Sequence, residues 1–85
     1  MSYSIRIKRS ATKELARITR QDREHLIRAI DRLGKHPLTG KPLKGNLRGL
    51  RRTRIGDYRV VYQLLNSEST VLVVRVAHRR EVYHR

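Results

Sequence analysis

The sequence predicts an α+β fold, with two helices packed on one face of a mostly antiparallel sheet. Three observations predict it. Tyr3, Ile5 and Ile7 alternate with Ser4, Arg6 and Lys8, the period of a half-buried strand. Between Ser10 and Gly34 apolar residues recur at helical spacing in two separate stripes. Three β-rich runs then follow, divided by turn residues. The expected order is an N-terminal strand, a two-helix hairpin and a three-strand antiparallel meander. At 85 residues the chain is long enough for one small domain, expected over 1–85, with no internal repeat or linker.

The elements follow in order. Tyr3–Ile7 forms the first strand. Ser10 is an N-cap candidate for a helix starting at Ala11, in which Ala11, Leu15 and Ile18 share a face. Thr19 is a second cap candidate, with Gln21, Asp22 and Glu24 in the first turn; acids there suit the positive end of a helix dipole. Leu26, Ile27, Ile30 and Leu33 make the apolar stripe of this longer helix, and Arg20, Arg23, Arg28 and Arg32 lie largely away from it. Gly34 suits the residue after the helix, and Pro37 prevents continuation. His36–Gly49 is a basic loop with three glycines and two prolines, pinned to the core by Leu38, Leu43 and Leu47. It is no phosphate-binding P-loop: five residues separate Gly34 from Gly40, and Pro42 follows Lys41. Leu50–Ile55 and Tyr58–Leu65 are the next strands. Gly56-Asp57 supplies a tight turn between them, although in the reverse of the favoured Asp-Gly order, so a slightly longer loop is the alternative. Asn66–Ser69 is a polar turn. Thr70–Ala77, TVLVVRVA, has the strongest β character and is expected to be a central strand with both faces partly covered.

Composition narrows the function classes. The formal net charge is +14, which concerns partners rather than fold. Nucleic acid, an anionic membrane surface and an acidic protein are all compatible with it. No apolar run approaches the ~18 residues of a membrane span, and no signal peptide is visible because Arg6 interrupts a short apolar start. With no cysteine there is no disulfide framework, thiol nucleophile or cysteine-based zinc site. A cytoplasmic protein is the expectation. Hydrophobic residues at 38% separate the chain from a disordered basic tail.

Arg51–Tyr62, RRTRIGDYRVVY, holds the candidate site. Strand side chains alternate, so Arg52 and Arg54 share one face, while Arg59 shares a face with Val61 and Gln63. Guanidinium groups gathered on a sheet need an anion to offset their repulsion, and the phosphates of nucleic acid are the obvious one. The plainer alternative for Arg51, Arg52 and Arg54 is a solvated strand face, and for Arg59 an ion pair with Asp57 or Glu81. Tyr58 and Tyr62 share their face with Val60 and Leu64 and are assigned to the core. His25 is expected at the surface and His36 in the loop near a helix C-terminus. His78 and His84 have no further ligand for a metal site. Lys41, Lys44 and Arg48, with Arg51 and Arg80, are candidate RNA-phosphate contacts.

Taken together, Tyr3–Ile7, the helical hairpin, PLKGNLRGL (42–50), RTRIGDYRVVY (52–62) and HRREVY (78–83) resemble the RelE toxins of bacterial and archaeal toxin–antitoxin pairs, within the wider RelE/ParE superfamily. RIGDYRVVY and HRREVY in combination carry the resemblance, which covers nearly the whole chain. It implies a RelE-like fold and an mRNA interferase: a metal-independent, cofactor-free endoribonuclease that enters the ribosomal 30S A site, contacts mRNA and rRNA, and inhibits translation. In that family the 2′-hydroxyl attacks the adjacent phosphodiester. The family's functional positions fall here on Arg52, Arg54, Arg59, Arg79 and Tyr83. Lysines stand in relatives where this chain has Arg52 and Arg54. Arginine stays protonated, so the general base is left open among Tyr83, His78, His84 and an arginine acting only by electrostatics and positioning. The resemblance also implies an acidic, RelB-like antitoxin partner and no membrane association. Two alternatives share the fold: a ParE-like toxin inhibiting gyrase, and a catalytically inactive RNA- or ribosome-binding relative.

Overall fold

The computed structural model describes residues 2–78. Strand β1 (Ser4–Ile7) is followed by helices α1 (Arg9–Ala16) and α2 (Arg20–Leu33), a short strand β2 (Lys41–Pro42), and strands β3 (Leu50–Ile55), β4 (Tyr58–Leu65) and β5 (Thr70–His78). They form a five-stranded mixed sheet in the order β1-β5-β4-β3-β2. β3, β4 and β5 are the expected antiparallel meander. The parallel pairing of β1 with β5, from Ser4 opposite Thr70 to Ile7 opposite Val73, was not foreseen. The helical hairpin carries the chain from one sheet edge to the other, and the meander brings it back beside β1. β5 is therefore the inner strand its composition predicts.

The core lies between helices and sheet. Ala11, Leu15, Leu26, Ile30 and Leu33 pack against Val60, Tyr62, Val71, Val73 and Val76. Ile27, expected in the α2 stripe, is 40% exposed, and Ala29, not expected there, is buried. α1 starts two residues before the expected Ala11, with Lys8 rather than Ser10 in the capping position. Lys8 N–H donates to Val73 O at 2.8 Å, so the strand's last bond and the first helical turn meet at one residue. Thr19 is the α2 N-cap residue, without a side-chain capping bond. Gly34 ends α2 with a right-handed φ of −62°. Its glycine is needed for close approach instead: a Cβ there would lie 2.7 Å from Tyr3 O.

One loop expectation is corrected, and one is met. Leu38 and Leu47 are 68% and 51% exposed and do not pin the basic loop. Its anchors are polar. Tyr62 Oη, at the end of a fully buried ring, accepts from Gly40 N–H and donates to Pro37 O, each at 2.8 Å. The β3–β4 connection is the tight Gly56-Asp57 turn, and Gly56 has φ +60° while Asp57 does not have positive φ. Left-handed backbone at the first central position only is the type II′ pattern, which explains the Gly-Asp order.

Candidate nucleic-acid interface

The strand registers gather the basic residues. Arg52 stands opposite Val61, and Arg54 directly opposite Arg59. Lys41 on β2 stands opposite Arg52, and Arg75 on β5 opposite Val61. Paired residues share a sheet face. By register Lys41, Arg52, Arg54, Arg59 and Arg75 therefore project from the face opposite the helices, although the Arg75 side chain turns back at the sheet edge toward Glu14 of α1. Their burial is graded: Lys41 and Arg54 are exposed, Arg52 and Arg75 half-buried, and Arg59 only 9% exposed. Arg54 Nε donates to Gly56 O at 3.3 Å, which holds its stem toward the turn. Arg52 and Arg59 are each engaged by a neighbouring group. Like charges directly opposite across two strands cost roughly 0.2–1 kcal/mol. The Arg54–Arg59 pair is thus retained against its own repulsion, and a phosphate between the two would turn that cost into attraction.

A bulge completes the face. Val61 pairs with Arg75 but Tyr62 pairs with Val73, so Val74 has no partner on β4. The extra residue keeps Val71, Val73 and Val76 all in the core and sends Arg75 and Ala77 to the basic face. Without it, strict alternation from Val73 would aim Arg75 at the helices. Arg75 was not singled out from sequence, although it interrupts TVLVVRVA as Arg59 interrupts its own strand.

Other candidate residues are placed elsewhere. Arg51 stands opposite Tyr62, on the helix side. Its Nε donates to Gly40 O at 2.9 Å and its second nitrogen approaches Leu38 O at 3.4 Å, so it braces the loop. Lys44 and Arg48 are exposed beside the 3₁₀ turn Gly45–Leu47. His78 stands opposite Tyr58, also on the helix side; the two rings meet edge to face, with centroids 5.6 Å apart. His78 is thus separated by the sheet from Arg54 and Arg59. His25 is exposed, as expected, and His36 lies in the loop just past the end of α2. Arg79, Arg80 and Tyr83, with Glu81 and His84, lie outside the described residues. No helix among the described residues is long and apolar enough to cross a membrane.

This is a small α+β protein with a cationic sheet face opposite its helices. Residues 5–83 match the family described as the ParE toxin of the type II toxin–antitoxin system parDE. The chain is 32% identical to toxin RelG of Mycobacterium tuberculosis over 87 residues, spanning 100% of both chains. It is 43% identical to toxin RelE of the same organism over 52% of this chain and 45% of the relative. A chain of the M. tuberculosis RelBE2 toxin–antitoxin complex superposes with a TM-score of 0.87 at 31% identity, over 93% of this chain and 100% of that one. A mutant of Escherichia coli toxin RelE, solved in the free state, shares the fold with a TM-score of 0.79 at 23% identity, over 98% and 92% of the two chains. The chain belongs to the RelE/ParE family of toxins from type II toxin–antitoxin systems.

Proposed function

We propose that this toxin is an endoribonuclease that cuts mRNA in the ribosomal A site. The observation that carries the reading is the register placing Arg54 opposite Arg59, with Arg52 on the same face. The nucleophile of such a cut belongs to the substrate: the ribose 2′-oxygen attacks the adjacent phosphorus, and the bond to the 5′-oxygen of the next nucleotide breaks. The products are a 2′,3′-cyclic phosphate and a free 5′-hydroxyl. Negative charge builds on the non-bridging oxygens as the phosphorus becomes five-coordinate. Guanidinium groups already fixed beside them stabilise that charge without reorganising. Arg59, nearly buried, is the fixed member of the clamp; Arg54, exposed, is the member that closes on the strand. Arg79 is assigned to the same clamp and Tyr83 to base stacking.

Arginines do not release a proton, so Arg52 and Arg54 act by charge and position. The 2′-hydroxyl proton goes to another group, for which Tyr83 and His84 remain the candidates, since His78 stands on the helix side of the sheet, away from Arg54 and Arg59. Lys41, Lys44, Arg48 and Arg80 are assigned to rRNA phosphates. Two solved relatives are named as RelB–RelE toxin–antitoxin complexes, from E. coli and Pyrococcus horikoshii. By that likeness, an acidic RelB-like antitoxin is the cognate partner here, and its carboxylates would neutralise the same face.

End-group analysis tests the chemistry. Incubation with mRNA on programmed ribosomes is expected to yield fragments ending in cyclic phosphate, and Arg59→Ala to lower the rate by about 100-fold or more. The match to a family named for ParE favours a second reading, a gyrase-directed toxin. Inhibited DNA supercoiling with intact mRNA would establish that reading and remove the first.

A further inference from the structure

Beyond the arginine face, the structure assigns a positioning role to Glu14. β1 accompanies β5 only from Thr70 to Val73. The bond from Lys8 N–H to Val73 O, at 2.8 Å, closes that pairing. From Val74 to His78, β5 keeps β4 on one side and loses its strand neighbour on the other. The bulge at Val74 lies in the same stretch, where a register error would carry Arg75 and Ala77 to the wrong face.

Glu14 occupies the place of the missing strand. α1 begins directly after β1, so its second turn runs beside the exposed edge of β5. One carboxylate oxygen of Glu14 accepts from Val76 N–H at 2.8 Å, as a strand carbonyl would. The other lies 3.6 Å from Arg75 Nε, an ion pair longer than a hydrogen bond. Arg75 Nε is buried, with no hydrogen-bond acceptor, so the nearby carboxylate is what offsets its charge. Both side chains are about one-third exposed, at 34% and 36%. A single carboxylate thus holds the backbone and the side chain on the C-terminal side of the bulge. It also draws Arg75 toward α1, leaving Lys41, Arg52, Arg54 and Arg59 as the cations presented to an anion.

The consequence reaches the proposed active face. Ala77, one residue beyond the Glu14–Val76 bond, stands opposite Arg59. Arg79 follows two residues later in the chain. We propose that Glu14 fixes the register of the end of β5, and with it the seat of Ala77 opposite Arg59, without touching substrate. The inference rests on the nuclease reading for its kinetic consequence, but not for the clasp itself.

Glu14→Ala removes both contacts, whereas Glu14→Gln keeps an acceptor for Val76 N–H and loses the charge. Two measurements on the full chain are needed: amide exchange at Val76 and His78, and single-turnover mRNA cleavage across a range of ribosome concentrations. In Glu14→Ala, faster Val76 exchange is expected, with the maximal cleavage rate down by about 100-fold, the effect of an ångström-scale misplacement. The half-saturating ribosome concentration is expected to stay within about threefold, and Glu14→Gln to recover both rate and protection to within about threefold. Glu14→Ala with unchanged Val76 exchange overturns the clasp. Faster exchange with an unchanged rate, or with a lower rate, a raised half-saturating concentration and no recovery in Glu14→Gln, overturns the positioning role. If the unmodified toxin fails to cleave, the nuclease reading falls, and the positioning role falls with it, while the exchange data alone decide the clasp.

Discussion

Arg54 and Arg59 face each other across two strands at a cost that no fold requires. Arg54→Gln is accordingly expected to stabilise the free toxin in low salt by up to about 1 kcal/mol. Polyphosphate should raise the melting temperature of the parent protein more than that of the variant. Urea and thermal unfolding, with and without polyphosphate, check both. Tyr62 shows the opposite economy at the same scale. Its hydroxyl accepts from Gly40 N–H and donates to Pro37 O. Tyr62→Phe strands both groups and is expected to cost about 1–3 kcal/mol by urea unfolding, with greater protease sensitivity in the loop from His36 to Gly49.

At the level of elements, the strands were the most legible part of the chain. Leu50–Ile55 and Tyr58–Leu65 are found at the residues their β-rich patterns indicate, and the last strand runs one residue past Ala77. Short-range patterning specifies them, because alternation and turn residues are local. The features missed depend on contacts distant in sequence. β2 consists of two exposed residues, defined only by their pairing with Arg51 and Arg52. Parallel β1–β5 pairing joins opposite ends of the chain. Leu38 and Leu47 read as anchors because they are leucines in a polar loop, whereas the anchor is a tyrosine hydroxyl from β4. For the site, the shared face of Arg52 and Arg54 was visible in the two-residue period. Their union with Arg59 depended on the turn length, and that of Arg75 on a bulge concealed within a continuous apolar run. The turn that sets this register can be tested. Gly56 has φ +60° and open space around a would-be Cβ, so Gly56→Ala suffers backbone strain without a clash. A loss of about 1–2 kcal/mol is expected from chemical denaturation, and Gly56→Asn should lose less.

On the scale of the molecule, the helices and the cations occupy opposite sides of one sheet. The core can therefore form on one face while the other gathers charge. Of the total formal charge of +14, Lys41, Arg52, Arg54 and Arg59 form the compact group available to a single strand. Four phosphate contacts to single-stranded RNA give a log–log salt slope of about −3, falling to about −2 in Arg54→Gln. Titration of a short mRNA oligonucleotide at several salt concentrations measures both slopes. An unchanged slope in the variant would mean that the remaining surface charge, rather than this face, holds the RNA.

The most direct measurement is primer extension on mRNA bound to purified ribosomes, with the toxin and its Arg59→Ala variant compared under identical conditions. Cuts within the codon in the A site, made by the toxin and lost in the folded variant, are the expected result. Intact mRNA with the toxin on translation-competent ribosomes, or the same cuts from Arg59→Ala, would show that the arginine face is not the seat of an mRNA-cleaving activity.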